Sequence, residues 1–459
     1  MDLSNLKSDG SPKQEQSALE YVAQATSPLI NGEVKLTIND NALTVMALFD
    51  AIEITFAEIN TLDLTNHIVT VKADSGDYTF SHMGNWCQPF YDTLCDTYNK
   101  AVLRSLFIKN NPMLTAKGEY RYNENGENKN TSAVPIHIYE NNVTALPPNL
   151  SARRVPLCFI TAIERGNYEL TLRLDTGETY TYAKIGYDTA IFTDIVEKQL
   201  RKLREESLIA IKEIDPTLTV VQASQIVKIM PSGVAVPIGK LAEIAPSFRA
   251  ALENKIATSR ANKSYVILKE LCDPAQIFVG FRKNENLRET SDPSNATSES
   301  TSIMYHSYDS ENNTFETSNT LTDANNESKK TKSVPSDPYL IWLIAPSPDG
   351  QFATVEFAEA DSATFVYHTA GNFTTFARQI NRALEAINFK REVIRMTDKE
   401  LQKPENADYY MAAKRTIALQ FVRSNFVGRI IHSNMENWKQ KLTQLWSSTQ
   451  TTPVKSDST

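Results

Sequence analysis

The residues best suited to catalysis or metal binding are scattered along this chain of 459 residues. Its six histidines form no His-x-x-x-His pair, and its four cysteines make no Cys–His cluster of metal-ligand spacing. The chain also lacks a Walker loop, a Gly-x-Gly-x-x-Gly fingerprint, a Gly-x-Ser-x-Gly turn and a His-Glu-x-x-His pair. We therefore predict no metal and no cofactor, and a non-catalytic protein is favoured over an enzyme. An enzyme whose site is assembled from distant residues stays open as an alternative.

Carboxylates recur at one position of a stretch that the chain contains three times. They are Asp74, Asp175 and Asp361. Paired carboxylates can perform general acid–base chemistry, but these three belong to different copies of the stretch. Each stands at a predicted turn, where an aspartate side chain can hydrogen-bond nearby backbone. We interpret them as turn residues rather than as an active site.

Two groups of basic side chains are candidates for facing a partner or an anion. The first group lies on a predicted helix of the second repeat and comprises Lys198, Arg201, Lys202 and Arg204. The second group lies in the C-terminal region and comprises Lys414, Arg415, Arg423 and Arg429. Basic groups of this kind can bind acidic surfaces, or they can be solvated faces of helices.

The charge of the chain is unevenly distributed. Residues 1–108 contain fourteen Asp and Glu against six Lys and Arg, a net charge of −8. Residues 389–446 contain eleven Lys and Arg against six Asp and Glu, a net charge of +5. The two ends can attract each other, each can face a charged partner, or both can be ordinary solvated surfaces. The overall pI of about 5.5 disfavours nucleic acid as a partner.

The repeated stretch is the clearest architectural signal. It runs from Ala73 to Trp86, recurs from Ala360 to Phe373, and has a longer version from Leu174 to Asp188. Each copy contains a turn, the alternating aromatic residues of a half-buried strand, and a glycine before a helical pattern. We predict that each copy is the last hairpin of a small β domain, followed by a helix.

Further overlays extend the first two copies into full repeats. Leu36–Thr44 overlays Ile136–Thr144, and Phe56–Asp77 overlays Leu157–Glu178. The predicted strands of the first repeat include one from Ala42 to Phe49.

Each predicted repeat ends in an amphipathic helix. That of the first repeat is predicted to begin near Asn85, which can cap it. Its predicted buried stripe comprises Trp86, Phe90, Leu94, Tyr98 and Val102. Near the C-terminus, two more helices are predicted at Asp408–Phe421 and Ser433–Trp446.

These signals predict an α+β protein with three antiparallel β meanders, each closed by a C-terminal helix, plus helical connecting and C-terminal segments. The third meander carries an insertion that is too polar to bury a core, so we predict that it is disordered. The predicted segments are a polar lead 1–27, repeat one 28–110, repeat two 114–215, a helical connector 216–262, repeat three 263–390 with the insertion 284–338, a helical C-terminal region 391–446 and a disordered tail 447–459.

This arrangement resembles the pleckstrin-homology superfold, and Ile54–Leu64 is similar to a strand of bacterial pleckstrin-homology-like and GRAM-like domains. The resemblance implies tandem domains of that fold. Relatives that bind inositol phosphates use Lys and Arg around the first hairpin loop. The corresponding loops here carry Asp40 and Glu140, which would repel phosphate.

The function expected on these grounds is a non-catalytic, cytoplasmic scaffold or adaptor that binds other proteins, since the sheet edges of such folds can accept a strand or helix. The first alternative is a peripheral membrane adaptor that binds anionic lipid through its basic helix faces. The second alternative is an enzyme with a site between repeats.

Overall fold

The computed structural model describes residues 20–124, 126–283, 339–358, 363–432 and 434–447. The predicted disordered insertion 284–338 and Asp361 lie outside these ranges, as do residues 1–19 of the predicted lead and the predicted tail from 448 onward. Helices make up 42% of the described residues and strands 34%, in three antiparallel sheets, so the α+β class is confirmed. Within the described ranges no helix has the length and apolar content needed to cross a bilayer.

The first sheet has seven strands in the order β4-β3-β2-β1-β7-β6-β5. They are β1 (Glu20–Thr26), β2 (Gly32–Ile38), β3 (Ala42–Met46), β4 (Ala51–Thr55), β5 (Ile59–Thr65), β6 (Ile68–Ala73) and β7 (Gly76–Ser81). Residues 20–26, which the sequence analysis assigns to a polar lead, instead form the central strand β1. Its inward side chains are Tyr21, Ala23 and Ala25, and two small alanines give a weak hydrophobic signal.

Helix α1 (Cys87–Ser105) packs on this sheet, and we call the two together the first unit. The predicted stripe of α1 is confirmed from Phe90 onward, because Phe90, Leu94, Tyr98 and Val102 are fully buried. Trp86 is an error of the prediction, since its side chain is 60% exposed. It ends a 3₁₀ turn (Gly84–Trp86) before the helix, where the 3.6-residue period does not yet apply. No side chain caps α1, so the predicted Asn85 cap is absent.

The second sheet has the order β11-β10-β9-β8-β14-β13-β12, which repeats the first sheet strand for strand. Its strands are β8 (Leu114–Glu124), β9 (Glu127–Ile138), β10 (Asn142–Ala145), β11 (Arg153–Pro156), β12 (Ile160–Gly166), β13 (Glu169–Leu174) and β14 (Thr179–Ala183). Helix α2 (Thr189–Ile214) follows, and we call this sheet with α2 the second unit. Phe192, Val196 and Leu200 of α2 are buried against the sheet.

A helical segment connects the second unit to the third sheet. Its helices are α3 (Val220–Ile229), α4 (Ile238–Ile244), α5 (Pro246–Thr258) and α6 (Asn262–Leu271). Phe248, Leu252 and Ile256 of α5 are buried in one core with residues of the third sheet.

The third sheet does not repeat the first two. Its six strands lie in the order β15-β16-β17-β18-β19-β20. They are β15 (Val236–Pro237), β16 (Phe278–Lys283), β17 (Tyr339–Pro346), β18 (Phe352–Phe357), β19 (Ala363–His368) and β20 (Phe426–Ile431). All six residues of β18 are buried, because helices cover both faces of this sheet. Strands that are covered on both faces lose the alternation of apolar and polar residues that a one-sided meander shows. For this reason the predicted third repeat, residues 263–390, differs from the first two repeats.

The part of the chain after β19 combines helices with one strand. The helices are α7 (Phe373–Ala386), α8 (Asp398–Leu401), α9 (Ala407–Arg415), α10 (Ile417–Ser424) and α11 (Met435–Trp446). The predicted helix Asp408–Phe421 is divided at Thr416, whose backbone is extended at φ −107° and ψ 103°. Strand β20 lies in a region predicted to be helical, and it pairs with β19 to extend the third sheet.

Candidate functional site

The turn between β6 and β7 binds helix α9. Lys414 Nζ donates to Asp74 Oδ2 at 2.8 Å, and the Tyr410 hydroxyl donates to the same oxygen at 2.8 Å. Asn60 Nδ2 donates to Asp74 Oδ1 at 2.9 Å. Asp74 lies at a turn, as interpreted from the sequence, but its carboxylate also joins two distant parts of the chain.

The electrostatics of this contact favour the charged pair. Burial by itself raises the pKa of Asp74, but hydrogen bonds from Lys414, Asn60 and Tyr410 outweigh it and leave the pKa below its ordinary value. Burial lowers the pKa of Lys414, and Asp74 offsets part of that effect.

The equivalent turn of the second unit faces helix α7. Arg382 Nη2 of α7 donates to Glu178 Oε2 at 2.6 Å, and its guanidinium lies 5.1 Å from the centre of the Phe159 ring. Burial raises the pKa of Asp175, the counterpart of Asp74, while the charge of Arg382 opposes that shift. Each turn thus binds a basic side chain from the C-terminal half of the chain, Lys414 in the first unit and Arg382 in the second.

A buried ion cluster joins the second unit to the third sheet. Arg154 Nη2 of β11 lies 3.2 Å from Glu385 Oε1 of α7, and Arg282 Nη1 of β16 lies 3.4 Å from Glu385 Oε2. The Arg154 and Glu385 side chains are only 3% and 10% exposed. Arg154 was not among the predicted site residues, although an arginine beside the apolar run Val155–Ile160 is a signal that could have marked it.

Lys414, Arg415 and Arg423, which the sequence predicts to face a partner or an anion, bind within the chain. Lys414 binds Asp74, as above. Arg415 is 1% exposed and donates to the Met411 carbonyl at 2.9 Å and to the Tyr98 hydroxyl of α1.

Arg423 and Arg429 lie further along the same region. Arg423 donates to the carbonyls of Val393 and Met396 at 2.7 and 2.5 Å, and it pairs with Asp398 at 2.7 Å. Arg429 is exposed on β20.

The predicted basic group on α2 stays at the surface. Lys198, Arg201, Lys202 and Arg204 are all exposed. Lys202 lies 3.3 Å from Glu140 and 3.9 Å from Glu206. Acidic partners therefore reduce the positive charge of this face.

A cavity of about 460 Å³ lies between the second unit, the connector and the third sheet. Lys202, Arg154, Arg282, Glu385 and Cys158 are among its lining residues. A volume in the range of roughly 300–1,000 Å³ suits a small molecule. Burial raises the pKa of the Cys158 thiol well above its ordinary value, so the reactive thiolate is disfavoured. The lining contains no histidine, and nowhere in the described ranges do three His, Cys, Asp or Glu side chains group to hold a metal ion. This cavity has room for a small-molecule ligand.

The loop between β10 and β11 inserts into the first unit. The Leu62 N–H of β5 donates to the Pro148 carbonyl at 2.8 Å, and the Leu150 N–H donates to the Asn60 carbonyl at 3.1 Å. Leu146 and Ala152, at the two ends of this loop, are buried in the core of the first unit. The loop therefore covers the edge of the first sheet with both backbone and apolar contacts.

The equivalent turn of the first unit, between β3 and β4, is exposed. The Ala47 N–H donates to the Asp50 carbonyl at 2.8 Å and closes a four-residue turn with Leu48 and Phe49 at its tip. Their side chains are 85% and 90% exposed. The predicted strand Ala42–Phe49 ends at Met46, so the sequence analysis missed this tip. The pair of apolar residues directly before Asp50 was the available signal, because aspartate favours turns.

In the comparison with known proteins, no family model and no curated protein matches this chain.

Proposed function

We propose that this protein is a non-catalytic cytoplasmic scaffold that binds other proteins through units with a pleckstrin-homology-like architecture. The shared strand order of the first two sheets, each followed by an amphipathic helix, supports this reading of the fold. On this proposal the first domain is residues 20–110, because β1 belongs to it, and the second is residues 114–215. The third sheet, with the helices around it, connects these two domains.

One observation carries the proposal. The β10–β11 loop of the second unit binds the first unit of the same chain. Its backbone pairs with the edge of β5, and its residues Leu146 and Ala152 are buried there. The β3–β4 turn occupies the same position in the first unit and presents Leu48 and Phe49 to solvent. Exposed apolar side chains grouped on a protein surface mark candidate binding sites for a partner protein.

The chemistry around this turn indicates the kind of partner. Leu29, in the β1–β2 turn at the same end of the sheet, is also apolar and 59% exposed. Asp50 lies beside Phe49, and residues 1–108 carry a net charge of −8. A partner surface with an apolar pocket and a basic rim would complement both features.

The linkage between units supports a scaffold rather than a flexible string of domains. The pairs Lys414–Asp74, Arg382–Glu178 and Arg154–Glu385 connect the two units to the C-terminal half. A rigid frame reduces the ordering cost of binding, because the contact residues are held in place before the partner arrives.

Photo-crosslinking tests the proposal. A photoreactive phenylalanine analogue at position 49 of the full chain should form a covalent adduct with a partner in native cells, whereas the analogue at position 221 should not. Val221 of α3 is a matched control, because it is an apolar residue 66% exposed.

The captured partner is then purified and its affinity for the chain is measured. The Leu48→Ser/Phe49→Ser variant should bind about tenfold or more weakly, since central apolar anchors dominate interface energy. The Val220→Ser/Val221→Ser variant should bind like the unmodified chain. Equal affinity of both variants would refute the role of the turn.

A peripheral membrane adaptor is the second candidate, supported by the exposed side chains of Lys198, Arg201 and Arg204 on α2. Vesicles of phosphatidylserine and phosphatidylcholine should sediment the chain if this candidate holds. The Lys198→Glu/Arg201→Glu/Arg204→Glu variant should then stay in the supernatant. No sedimentation of the unmodified chain would remove this candidate.

A further inference from the structure

We propose that the edge strand β12 of the second unit binds the β3–β4 turn of a second copy of this chain, a partner assignment that rests on the function proposed above. Copies of the chain then associate head to tail. The basis is the contact that the two units make within one chain, because each half of that contact has an equivalent that is exposed.

The contact within the chain shows what an edge of this kind binds. The Leu62 N–H of the edge strand β5 donates to the Pro148 carbonyl of the β10–β11 loop at 2.8 Å. The Leu150 N–H of that loop donates to the Asn60 carbonyl of β5 at 3.1 Å. With the loop in place, the Leu62 side chain is only 2% exposed. An edge strand presents unpaired backbone donors and acceptors, and here a short stretch of the loop binds them.

Strand β12 is the equivalent edge of the second sheet. Its pairing with β13 repeats the pairing of β5 with β6, including the register shift near the start of the strand. The overlay of the two repeats places Thr161 at the position of Asn60 and Ile163 at the position of Leu62. In the described part of the chain, the Thr161 carbonyl and the Ile163 N–H bind no segment beyond their own sheet. Thr161 is exposed and Ile163 only half-buried, so this edge is open.

The β3–β4 turn supplies the groups that the loop supplies. The Leu48 carbonyl and the Asp50 N–H are two positions apart, as are the two loop groups that bind β5, and neither is hydrogen-bonded within the described ranges. The side chains of Leu48 and Phe49 are 85% and 90% exposed. Burying them against the half-buried edge of β12 would remove apolar surface from water on both sides of the contact.

The repeat of the two units identifies the partner as a second copy. The third sheet follows the second unit along the chain, but its strand order differs, and it offers no equivalent of the β10–β11 loop within the described ranges. The β3–β4 turn of the first unit is such an equivalent. In its own chain that turn is exposed and therefore not bound to β12. The turn that binds β12 must then belong to another copy.

The charge distribution favours contact between unlike units. Residues 1–108 carry a net charge of −8, whereas residues 114–215 contain thirteen Lys and Arg against fifteen Asp and Glu, a net charge of −2. Two first units would repel each other more strongly than a first and a second unit. The Arg165 side chain of β12 is 59% exposed although it pairs with Glu197, and it gives this edge a basic side chain for Asp50.

A contact between two different surfaces is heterologous, and this determines the kind of assembly. When one copy binds another, the first still has a free turn or a free β12 edge, and so does the second. Association therefore continues until a ring closes or a filament grows. The expected product at high protein concentration is an assembly larger than a dimer.

Sedimentation velocity of the purified full chain over a series of protein concentrations tests the proposal. The mean mass should rise with concentration beyond that of a dimer. The Leu48→Ser/Phe49→Ser variant should associate about tenfold or more weakly, since a few anchor side chains dominate the energy of an interface. The Val220→Ser/Val221→Ser variant is the matched control and should associate like the unmodified chain. A monomer at every concentration, or equal association of the two variants, would overturn the proposal.

A mixing experiment tests both halves of the contact. Ile163→Pro removes the N–H that β12 would donate, and proline is tolerated in an edge strand where the N–H faces solvent. At a concentration where Ile163→Pro and Leu48→Ser/Phe49→Ser are each monomeric, their equimolar mixture should contain a complex of two chains. One variant retains the turn and the other retains the edge. A mixture without that complex, from variants that melt like the unmodified chain, would refute the head-to-tail contact.

Photo-crosslinking needs no variant that disrupts the contact. With the photoreactive phenylalanine analogue at position 49 of the purified full chain, the adduct should join two copies, and peptide mass spectrometry should place the crosslink within residues 157–166. An adduct elsewhere in the chain, or no adduct, would contradict the proposal. Capture of a different protein in native cells, with no adduct between purified copies, would leave the proposed function standing and refute only the self-association. Absence of any adduct in both settings would refute both.

Discussion

Lys414 in helix α9 binds Asp74, which lies 340 positions earlier in the chain, with Nζ 2.8 Å and 3.0 Å from the two carboxylate oxygens. The acidic first unit and the basic C-terminal region therefore attract each other directly at this point. A second pair between the same regions has the opposite polarity, because Arg104 of α1 lies 4.0 Å from Asp408. The mutual attraction that the charge distribution allowed is thus realised through specific residues.

Asp74→Asn should destabilise the chain at neutral pH by about 1 kcal/mol, a value kept small because the carboxylate is partly exposed. The folded-state pKa of Asp74 is lowered, so its contribution to stability is present above its unfolded pKa, near 3.9, and is lost as pH falls through the folded value. The unmodified chain and the variant should therefore converge in Tm below that pH. Asp77→Asn, on the adjacent strand, is the control. A constant gap between Asp74→Asn and the unmodified chain down to the lowest pH would contradict the role of the ionised carboxylate.

Phe90→Ala should cost about 3–5 kcal/mol, because its side chain is fully buried between α1 and the first sheet. Trp86→Ala, four residues earlier, should cost less than about 1 kcal/mol. Trp86 is 60% exposed and contacts the Tyr21 ring edge-on at 6.3 Å. Calorimetry of both variants checks the difference. Similar losses would mean that Trp86 belongs to the buried stripe after all.

Gly280→Ala should destabilise the third sheet by about 1–3 kcal/mol or more, because a Cβ at this position would lie 2.2 Å from Cε2 of Trp342. Gly428→Ala on β20 should be nearly neutral, since its nearest neighbour, a Leu445 methyl, would be 3.5 Å away. Replacing the indole in Gly280→Ala/Trp342→Phe should recover part of the loss. Denaturant unfolding measures all three variants, and the absence of any recovery would show that the clash is not with Trp342.

Glu385→Gln should cost about 3–5 kcal/mol, because it leaves the buried Arg154 and the partly buried Arg282 without their shared carboxylate. Glu197→Gln, which breaks the exposed pair with Arg165, should cost about 0–1 kcal/mol. Thermal melting of the two variants compares the pairs. Equal effects would argue against a structural role for the buried cluster.

Local sequence patterns were sufficient to predict which side chains are buried where the buried positions recur with a short period. The stripe of α1 from Phe90 to Val102 was predicted correctly, because each side chain that faces the sheet recurs along one helix face. The equivalence of the first two units was also visible, since turns and apolar positions recur in the same order. The same reasoning failed for β1, where the inward alanines Ala23 and Ala25 carry little hydrophobic signal.

Tertiary structure decided the rest, because the relevant partners are far apart in the chain. Nothing near Thr364 in sequence indicates that β19 pairs with β20, which follows four further helices. Nor does local sequence distinguish Leu48 and Phe49 at an exposed tip from Leu146 inside a neighbouring unit.

The sequence by itself determined the α+β class, the two matching units and the helix faces that cover them, since these depend on periodicity within a few residues. Only the packed chain decided that Asp74 binds Lys414 and that Arg154, Arg382 and Arg415 line one cavity. Whether a charged side chain meets solvent, a counter-ion or another cation depends on which distant elements pack around it. That arrangement is a property of the whole fold.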